Sequence, residues 1–369
     1  LLKDYGNWCP DIYHNLFVDR YNDDSIRVAP CCQATASVES IDTFNFESNP
    51  YLNKLREQFK NNERPTECQA CWVAEDVGHQ SRRQLRIEGD SAIDKIDHDV
   101  VLTGLDHSAT WACNLACIMC GPINSSTWAK ELAFTKQQLI ELGRYLQKTN
   151  RFVDVLDLSN ITKVYFNGGE PLLNNEHLTL LQTLDKQDLL KNVDLSYTSN
   201  GTISPSQQVK DLWNKARSVG LCFSIDATND AFNYVRHPGD WNVASNNITK
   251  LIHSSDKLNI SINITVGNYN VLEVIDVYNW FQTILPNTPK SFYPQFVNWP
   301  HFNLEHLPLS VKHRVIEELK GIEILSGIVN YINSTMDSPV SDHWINVLNQ
   351  IDSRRGTNWK ESLKIGKYY

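Results

Sequence analysis

The chain has 369 residues, of which 41% are hydrophobic, 10% aromatic and 21% charged, enough for one large α/β domain or two smaller ones and unlike a disordered or collagen-like protein. Its 34 Lys and Arg face 43 Asp and Glu, a net charge of −9, which disfavours a nucleic-acid partner because broad contact with phosphate needs clustered cations. With no 18-residue apolar run and no basic, apolar leader in view, a membrane partner is not expected and the cytoplasm is the expected compartment.

Nine cysteines in a reducing compartment point to metal or redox chemistry, not to disulfides. Five lie early, at Cys9, Cys31, Cys32, Cys68 and Cys71, around a polar helix-like stretch from Leu52 to Phe59. A C-x2-C pair with further Cys upstream supplies the ligands for one cluster on four thiolates, or for a four-thiolate zinc. The segment from Cys71 to Arg86 leads to the first strand of the next region, and its arginines read as a solvated or cluster-facing helix.

Cys113, Cys117 and Cys120 follow in Trp111-Ala-Cys113-Asn-Leu-Ala-Cys117-Ile-Met-Cys120-Gly-Pro, a C-x3-C-x2-C run. Three thiolates on so short a loop can hold three corners of an iron-sulfur cube and leave the fourth iron open to a ligand. A zinc ion completed by a fourth Cys or His is the other reading of the same spacing.

Beyond Leu105 short apolar strands alternate with longer amphipathic stretches, the pattern of repeated βα units on a parallel sheet. The expected strands are Leu105 to Thr110, Lys163 to Phe166, Val193 to Thr198, Leu221 to Ile225, Asn259 to Val266 and Phe292 to Val297. Helices are expected over Ser126 to Leu146, Glu176 to Leu184, Ser206 to Ser218, Asn242 to His253 and Val271 to Thr283.

Polar groups cluster where these strands end, the place α/β folds give to ligands. Asn167-Gly168-Gly169-Glu170-Pro171 combines close backbone approach with a carboxylate that can accept from an amine. Thr198, Asn200, Ser224 and Asp226 offer hydroxyl, amide and carboxylate groups suited to a ribose; plain turn chemistry is the alternative for both glycine sites. Cys222, in an apolar strand, reads as core packing, and the aromatics from Phe292 to His301 as pocket lining or core. Three further helical stretches, Val311 to Leu325, Ile328 to Ile332 and His343 to Ile351, form an expected cap.

Through Cys113, Cys117 and Cys120, followed about fifty residues later by Gly168-Gly169-Glu170-Pro171, residues 100 to 300 resemble the radical SAM superfamily. The resemblance implies a partial (β/α)6 barrel over residues 101–300, with an N-terminal cluster module at 1–100 and a helical cap at 301–369. It implies a [4Fe-4S] cluster on the three Cys, with S-adenosylmethionine (SAM) chelating the fourth iron. Gly168, Gly169 and Glu170 would receive the methionine amino group; Thr198, Asn200, Ser224 and Asp226 would lie near the ribose and carboxylate; Arg236 would contact the carboxylate. Met119 stands where many members carry an aromatic and would cover the adenine by an apolar contact.

The early cysteines resemble the SPASM/twitch auxiliary-cluster modules of such enzymes, in which a hairpin ending in Pro-Cys precedes a helix and a late C-x2-C. That likeness makes Cys9, Cys31, Cys68 and Cys71 the ligands of an auxiliary [4Fe-4S] cluster, or of zinc, with Cys32 spare. The order departs from the family, whose modules usually follow the barrel. The implied activity is reductive cleavage of SAM and hydrogen abstraction from a peptide or amino-acid side chain, served by an electron donor such as flavodoxin or ferredoxin. The alternatives are radical chemistry on a small metabolite or nucleotide, and a catalytically silent cluster- and SAM-binding module.

Overall fold

The computed structural model describes residues 5–369 apart from 22–24, 77, 79, 90–95, 109–110, 142–150, 174–175, 287, 289–290 and 298. The chain divides into two compact units. The first takes residues from 1–111, 134–197 and 206–219, and the second takes 112–133, 198–205 and 220–369.

In the first unit, six strands hydrogen-bond in the order β3-β2-β1-β4-β5-β6. They are β1 (Asn15–Tyr21), β2 (Ser25–Ala29), β3 (Ser37–Ser40), β4 (Gly104–His107), β5 (Lys163–Phe166) and β6 (Asp194–Ser199), whose last residues pass into the second unit. β1, β4, β5 and β6 run parallel, and their register lines up Leu16, Leu105, Val164 and Leu195 in one row. All four side chains are buried, so the row forms the centre of this unit's apolar core.

The parallel strands β4, β5 and β6 lie within a few residues of the expected ones, although Ala109 and Thr110 of the first expected strand lie outside the described residues. No strand bounds were expected ahead of β4, although the resemblance to an auxiliary-cluster module implied a hairpin ending in Pro-Cys; β1 and β2 form an antiparallel pair that leads to Pro30 and Cys31. β1 reads Asn-Leu-Phe-Val-Asp-Arg-Tyr, with three consecutive apolar residues and no period-two alternation, because it is covered on both faces: Leu16, Phe17 and Val18 are all buried. It turns back through the antiparallel β2, which delivers Pro30 and Cys31 at its end.

The second unit carries β7 (Ser218–Ser224), which begins in the first, with β8 (Leu258–Val266) and β9 (Phe292–Phe296). β8 and β9 are parallel, pairing Ile262 with Phe292 and Val266 with Phe296. Burial alternates along β7 and most of β8, the period of two that made both legible. Each unit is mixed α/β, with parallel strand pairing in both.

Helix starts follow the polar caps. Asn49 accepts from Leu52 N ahead of Pro50–Lys60, Ser206 from Val209 N ahead of Gln207–Lys215, and Asp240 from Asn242 N and Val243 N ahead of Trp241–Ile252. The expected helix from Ser126 to Leu146 is two helices, Ser126–Glu131 and Lys136–Glu141, one in each unit. Ala133 adopts a left-handed backbone with φ of 53°. Thr135 then opens the second helix reciprocally with Gln138, whose amide N donates to the threonine hydroxyl at 3.2 Å while Thr135 N donates to Oε1 at 2.9 Å. Residues 142–146 of that expectation lie outside the described residues. The expected C-terminal helices appear as Leu309–Leu319, Ser326–Ser334 and His343–Arg355 in the second unit. Among the described residues no helix is long and apolar enough to cross a membrane.

One buried cation organises the start of the first unit. Arg56, 4% exposed, donates to the carbonyls of Ile12 at 3.2 Å, Phe46 at 2.9 Å and Glu47 at 3.1 Å, and lies over the Phe46 ring at 4.6 Å. Arg56→Met strands these carbonyls and is expected to cost about 3 kcal/mol, read as a lower urea midpoint; Arg56→Lys, which keeps charge without the fork, should recover only part.

Candidate functional site

The segment from Cys113 to Cys120 has no regular secondary structure, so its backbone groups must find partners elsewhere. The helix that follows supplies most of them. Ser126 Oγ accepts from Cys113 N at 3.0 Å and donates to Cys113 O at 3.1 Å, and Thr127 Oγ1 donates to the same carbonyl at 2.6 Å. Ser125, which caps that helix by accepting from Trp128 N, donates to Leu115 O at 2.5 Å. Trp128 Nε1 donates to Cys117 O at 2.8 Å. From the other side Ile118 N donates to Val235 O and Ala116 N to His237 O.

Held this way, Cys113, Leu115 and Cys117 form a buried apolar cluster with Met119 and Cys120 packed against it. Burial pushes the Cys117 thiol up to about 12, with Cys113 adding to the rise and Arg236 opposing it, and pushes Cys120 up to about 12, with Cys117 adding to it. Cys117 and Cys120 thus resist becoming bare thiolates, and a cationic iron-sulfur core is the kind of group that offsets such charge. The donor set therefore fits a three-thiolate cluster. Among the described residues no three His, Cys, Asp or Glu side chains close on a single ion; a cube spreads its thiolates over separate irons.

Arg236, 6% exposed, places Nη1 at 3.8 Å from Cys117 Sγ and Nη2 at 2.6 Å from Asp226 Oδ2. Asp226 is fully buried, accepts from Thr265 N at 2.7 Å through Oδ1, and is held from its backbone by Asn270 Nδ2 at 2.9 Å. Burial raises its carboxyl above the ordinary range against the pull of Arg236. Asp226, expected near the ribose and carboxylate, pairs with the arginine that faces the cysteine loop. Asn200 is tied to that loop as well: its Nδ2 donates to Asn114 Oδ1 at 3.0 Å, while Asn114 Nδ2 donates to Thr202 Oγ1 at 2.8 Å. Thr198 and Ser224, both half-buried, stand at the ends of β6 and β7.

Gly168, Gly169 and Glu170 belong to the first unit. The chain leaves β5 through two left-handed residues, Gly168 with φ of 75° and Gly169 with φ of 39°, where a side chain would be strained. Glu170 is fully buried and its Oε1 accepts from Leu172 N at 3.1 Å.

The first unit also gathers the early cysteines. Cys9, Cys31, Cys68 and Cys71 line one pocket, with Asp11, Arg82 and Arg83 among its walls; Cys32 is exposed and is not among the lining residues. Burial pushes the Cys31 thiol up to about 12, with Asp11 adding to the rise and Arg82 opposing it, and raises Cys9 and Cys68 in the same direction. The arginines are themselves paired: Arg82 with Asp11 at 3.2 Å and Asp106 at 3.1 Å, Arg83 with Glu75 at 2.7 Å. Cys222 sits half-buried on β7, away from both sets in sequence and role.

Sequence reasoning missed Asn114, although it lies inside the cysteine run, and Tyr269, a fully buried residue whose hydroxyl has no hydrogen-bond partner among the described residues. Burial, with Asp226 adding to it, raises that phenol well above its usual range. A lone Tyr after β8 carries no sequence signal of such a setting.

No protein-family model matches the chain. Two curated relatives do, both named GTP 3',8-cyclase. The one from Clostridium acetobutylicum is 31% identical over 188 residues, 47% of this chain and 50% of that protein. The one from Desulforamulus reducens is 28% identical over 146 residues, 39% of this chain and 41% of that protein. The chain thus spans about half the length, or less, of the curated relatives it matches. Among solved structures, native anSMEcpe with bound AdoMet is 19% identical, over 61% of this chain and 62% of that one, with a TM-score of 0.39. Streptococcus suis SuiB bound to S-adenosylmethionine is 12% identical, over 61% and 44%, with a TM-score of 0.36.

The ion pair yields a test that needs no bound group. Asp226→Asn leaves the Arg236 guanidinium buried without its counter-charge and is expected to cost about 3 kcal/mol. The double variant Asp226→Asn with Arg236→Met should recover a measurable part of that loss in denaturant unfolding, because no uncompensated charge remains buried.

Proposed function

We propose that the chain is a radical SAM enzyme, a reading its likeness to two GTP 3',8-cyclases supports, and that it cleaves SAM reductively at a [4Fe-4S] cluster on Cys113, Cys117 and Cys120 and abstracts hydrogen from a bound substrate. The observation that carries this reading is the buried set of three thiols on one loop, with the Arg236 guanidinium 3.8 Å from Cys117 Sγ. With both groups bound, cluster and SAM supply one-electron cleavage of the sulfonium and a 5′-deoxyadenosyl radical able to take hydrogen from an unactivated carbon.

The protein's own side chains position and enclose. Arg236, kept charged and oriented by Asp226, is the binding group for a carboxylate. Asn200 holds its amide through Asn114 and, with Thr198 and Ser224, offers hydrogen bonds to a ribose. Met119, packed on the thiol cluster, gives an apolar contact for adenine. Gly168 and Gly169 let the backbone approach an amino group, and Glu170 accepts from it.

For the first unit we propose that Cys9, Cys31, Cys68 and Cys71 hold an auxiliary [4Fe-4S] cluster, with zinc as the other occupant. Their convergence on one cavity, and the exposure of Cys32, support that choice of four ligands. The family resemblance favours a peptide or amino-acid side chain as substrate, with the auxiliary cluster binding it or taking up an electron after abstraction. The relatedness to two GTP 3',8-cyclases favours a second reading, radical chemistry on a nucleotide. A single electron from flavodoxin or ferredoxin would start either.

Anaerobic reconstitution with iron and sulfide should give about eight irons per chain, two cubes' worth, and 5′-deoxyadenosine after addition of SAM and a strong reductant. The triple change Cys113→Ala, Cys117→Ala, Cys120→Ala should abolish deoxyadenosine and leave about four irons; a fully loaded wild type that forms none overturns the enzymatic reading. Deoxyadenosine that acquires deuterium from a deuterated peptide, and not from deuterated GTP, selects the peptide substrate.

The auxiliary site is tested by single changes. Cys31→Ala should remove the metal of the first unit and Cys32→Ala should retain it, as counted by elemental analysis for both iron and zinc. Retention in both variants overturns the proposed ligand set.

A further inference from the structure

The last turn of the helix His343–Arg355 ends at Gly356, whose left-handed φ of 66° terminates it. Arg355 is the final helical residue, and its side chain is 2% exposed. The guanidinium does three things. Nη2 donates to Ala116 O at 2.7 Å, Nε donates to Glu131 at 3.0 and 3.1 Å, and the plane lies over the Trp128 ring at 4.7 Å. Ala116 lies between Cys113 and Cys117, and Trp128 holds Cys117 O through its own indole N–H. A residue 239 positions away in sequence from Ala116 thus grips the cysteine loop directly and steadies the ring that grips it a second time.

We propose that Arg355 is a positioning residue for the iron-sulfur site: its fork fixes the Ala116 peptide, and its charge favours the reduced, more negative state of a cluster on Cys113, Cys117 and Cys120. The charge part rests on the reading of the triplet given above; the clamp on the loop does not. Arg is suited to the role because a lysine offers one point charge where the fork meets a carbonyl, a carboxylate and a ring face together. Charge near a cluster is one of the variables that set its potential.

The test uses the full chain with Arg355→Gln and Arg355→Lys. In the metal-free protein, hydrogen exchange of a peptide spanning 113–120 should speed several-fold in both variants, while a peptide from the β8 core, 260–266, stays at the wild-type rate. In the reconstituted protein, the potential of the SAM-binding cluster, followed by electron paramagnetic resonance, should shift to more negative values in Arg355→Gln and return toward wild type in Arg355→Lys. Should Arg355→Gln not fold, Glu131→Gln, which frees the guanidinium without touching the loop, should speed exchange in the same direction. Unchanged exchange and unchanged potential in a folded Arg355→Gln protein overturn the proposal. A wild type that takes no iron at the triplet defeats the cluster reading instead, and the exchange result then decides the clamp by itself.

Discussion

The second unit depends on satisfying the backbone of a loop that has no secondary structure of its own. An unpaired buried peptide group costs on the order of a kilocalorie or more, and the run from Cys113 to Ile118 is buried at most positions. Its partners come from Ser125, Ser126, Thr127 and Trp128 on one side and from Val235, His237 and Arg355 on others. These residues are scattered along the chain, so the loop takes its shape only when the unit is folded. The thiols are thereby presented in a fixed arrangement, as a preorganised ligand set requires.

The two cysteine groups solve the same electrostatic problem in different ways. In the first unit the four thiols face a cavity, and the arginines on its walls are committed to Asp11, Glu75 and Asp106. In the second the three thiols sit in an apolar cluster, and the nearest guanidinium touches sulfur itself. A group with four protein ligands needs only a closed shell, whereas one with three must leave a face for another molecule. Under the proposed assignment, the four-thiol pocket would meet the first need and the three-thiol loop beside Arg236 the second.

Much of this was legible in sequence because the signals were local. β5 to β9 announced themselves by short apolar runs and alternation, and the cysteine triplet by spacing alone. The turn at Gly168 and Gly169 was legible because left-handed backbone selects glycine. What escaped was set by distant partners. β1 is a strand because it lies beside β4, and its mixed composition of Asn, Asp and Arg among apolar residues hides that. The helix expected from Ser126 to Leu146 breaks at Ala133, where tertiary context overrides a good helix former. Arg355, in a polar C-terminal stretch, gives no sign that its partner is Ala116.

Cys117 shows why these arginines arrive already paired. Arg236 is held by Asp226 and Arg355 by Glu131, so each buried cation has its own carboxylate whether or not anything occupies the thiols. Without those carboxylates, the unit would bury two uncompensated charges next to protonated thiols, at a cost of several kilocalories each. With them, the unit can fold first and be loaded afterwards. The guanidiniums nevertheless keep enough field at Cys117 to oppose the rise of its thiol pKa, which eases loss of the proton that a metal must displace. The carboxylates therefore do more than anchor arginines: they allow a cation to be stationed beside a cysteine whether or not the proposed cluster is bound.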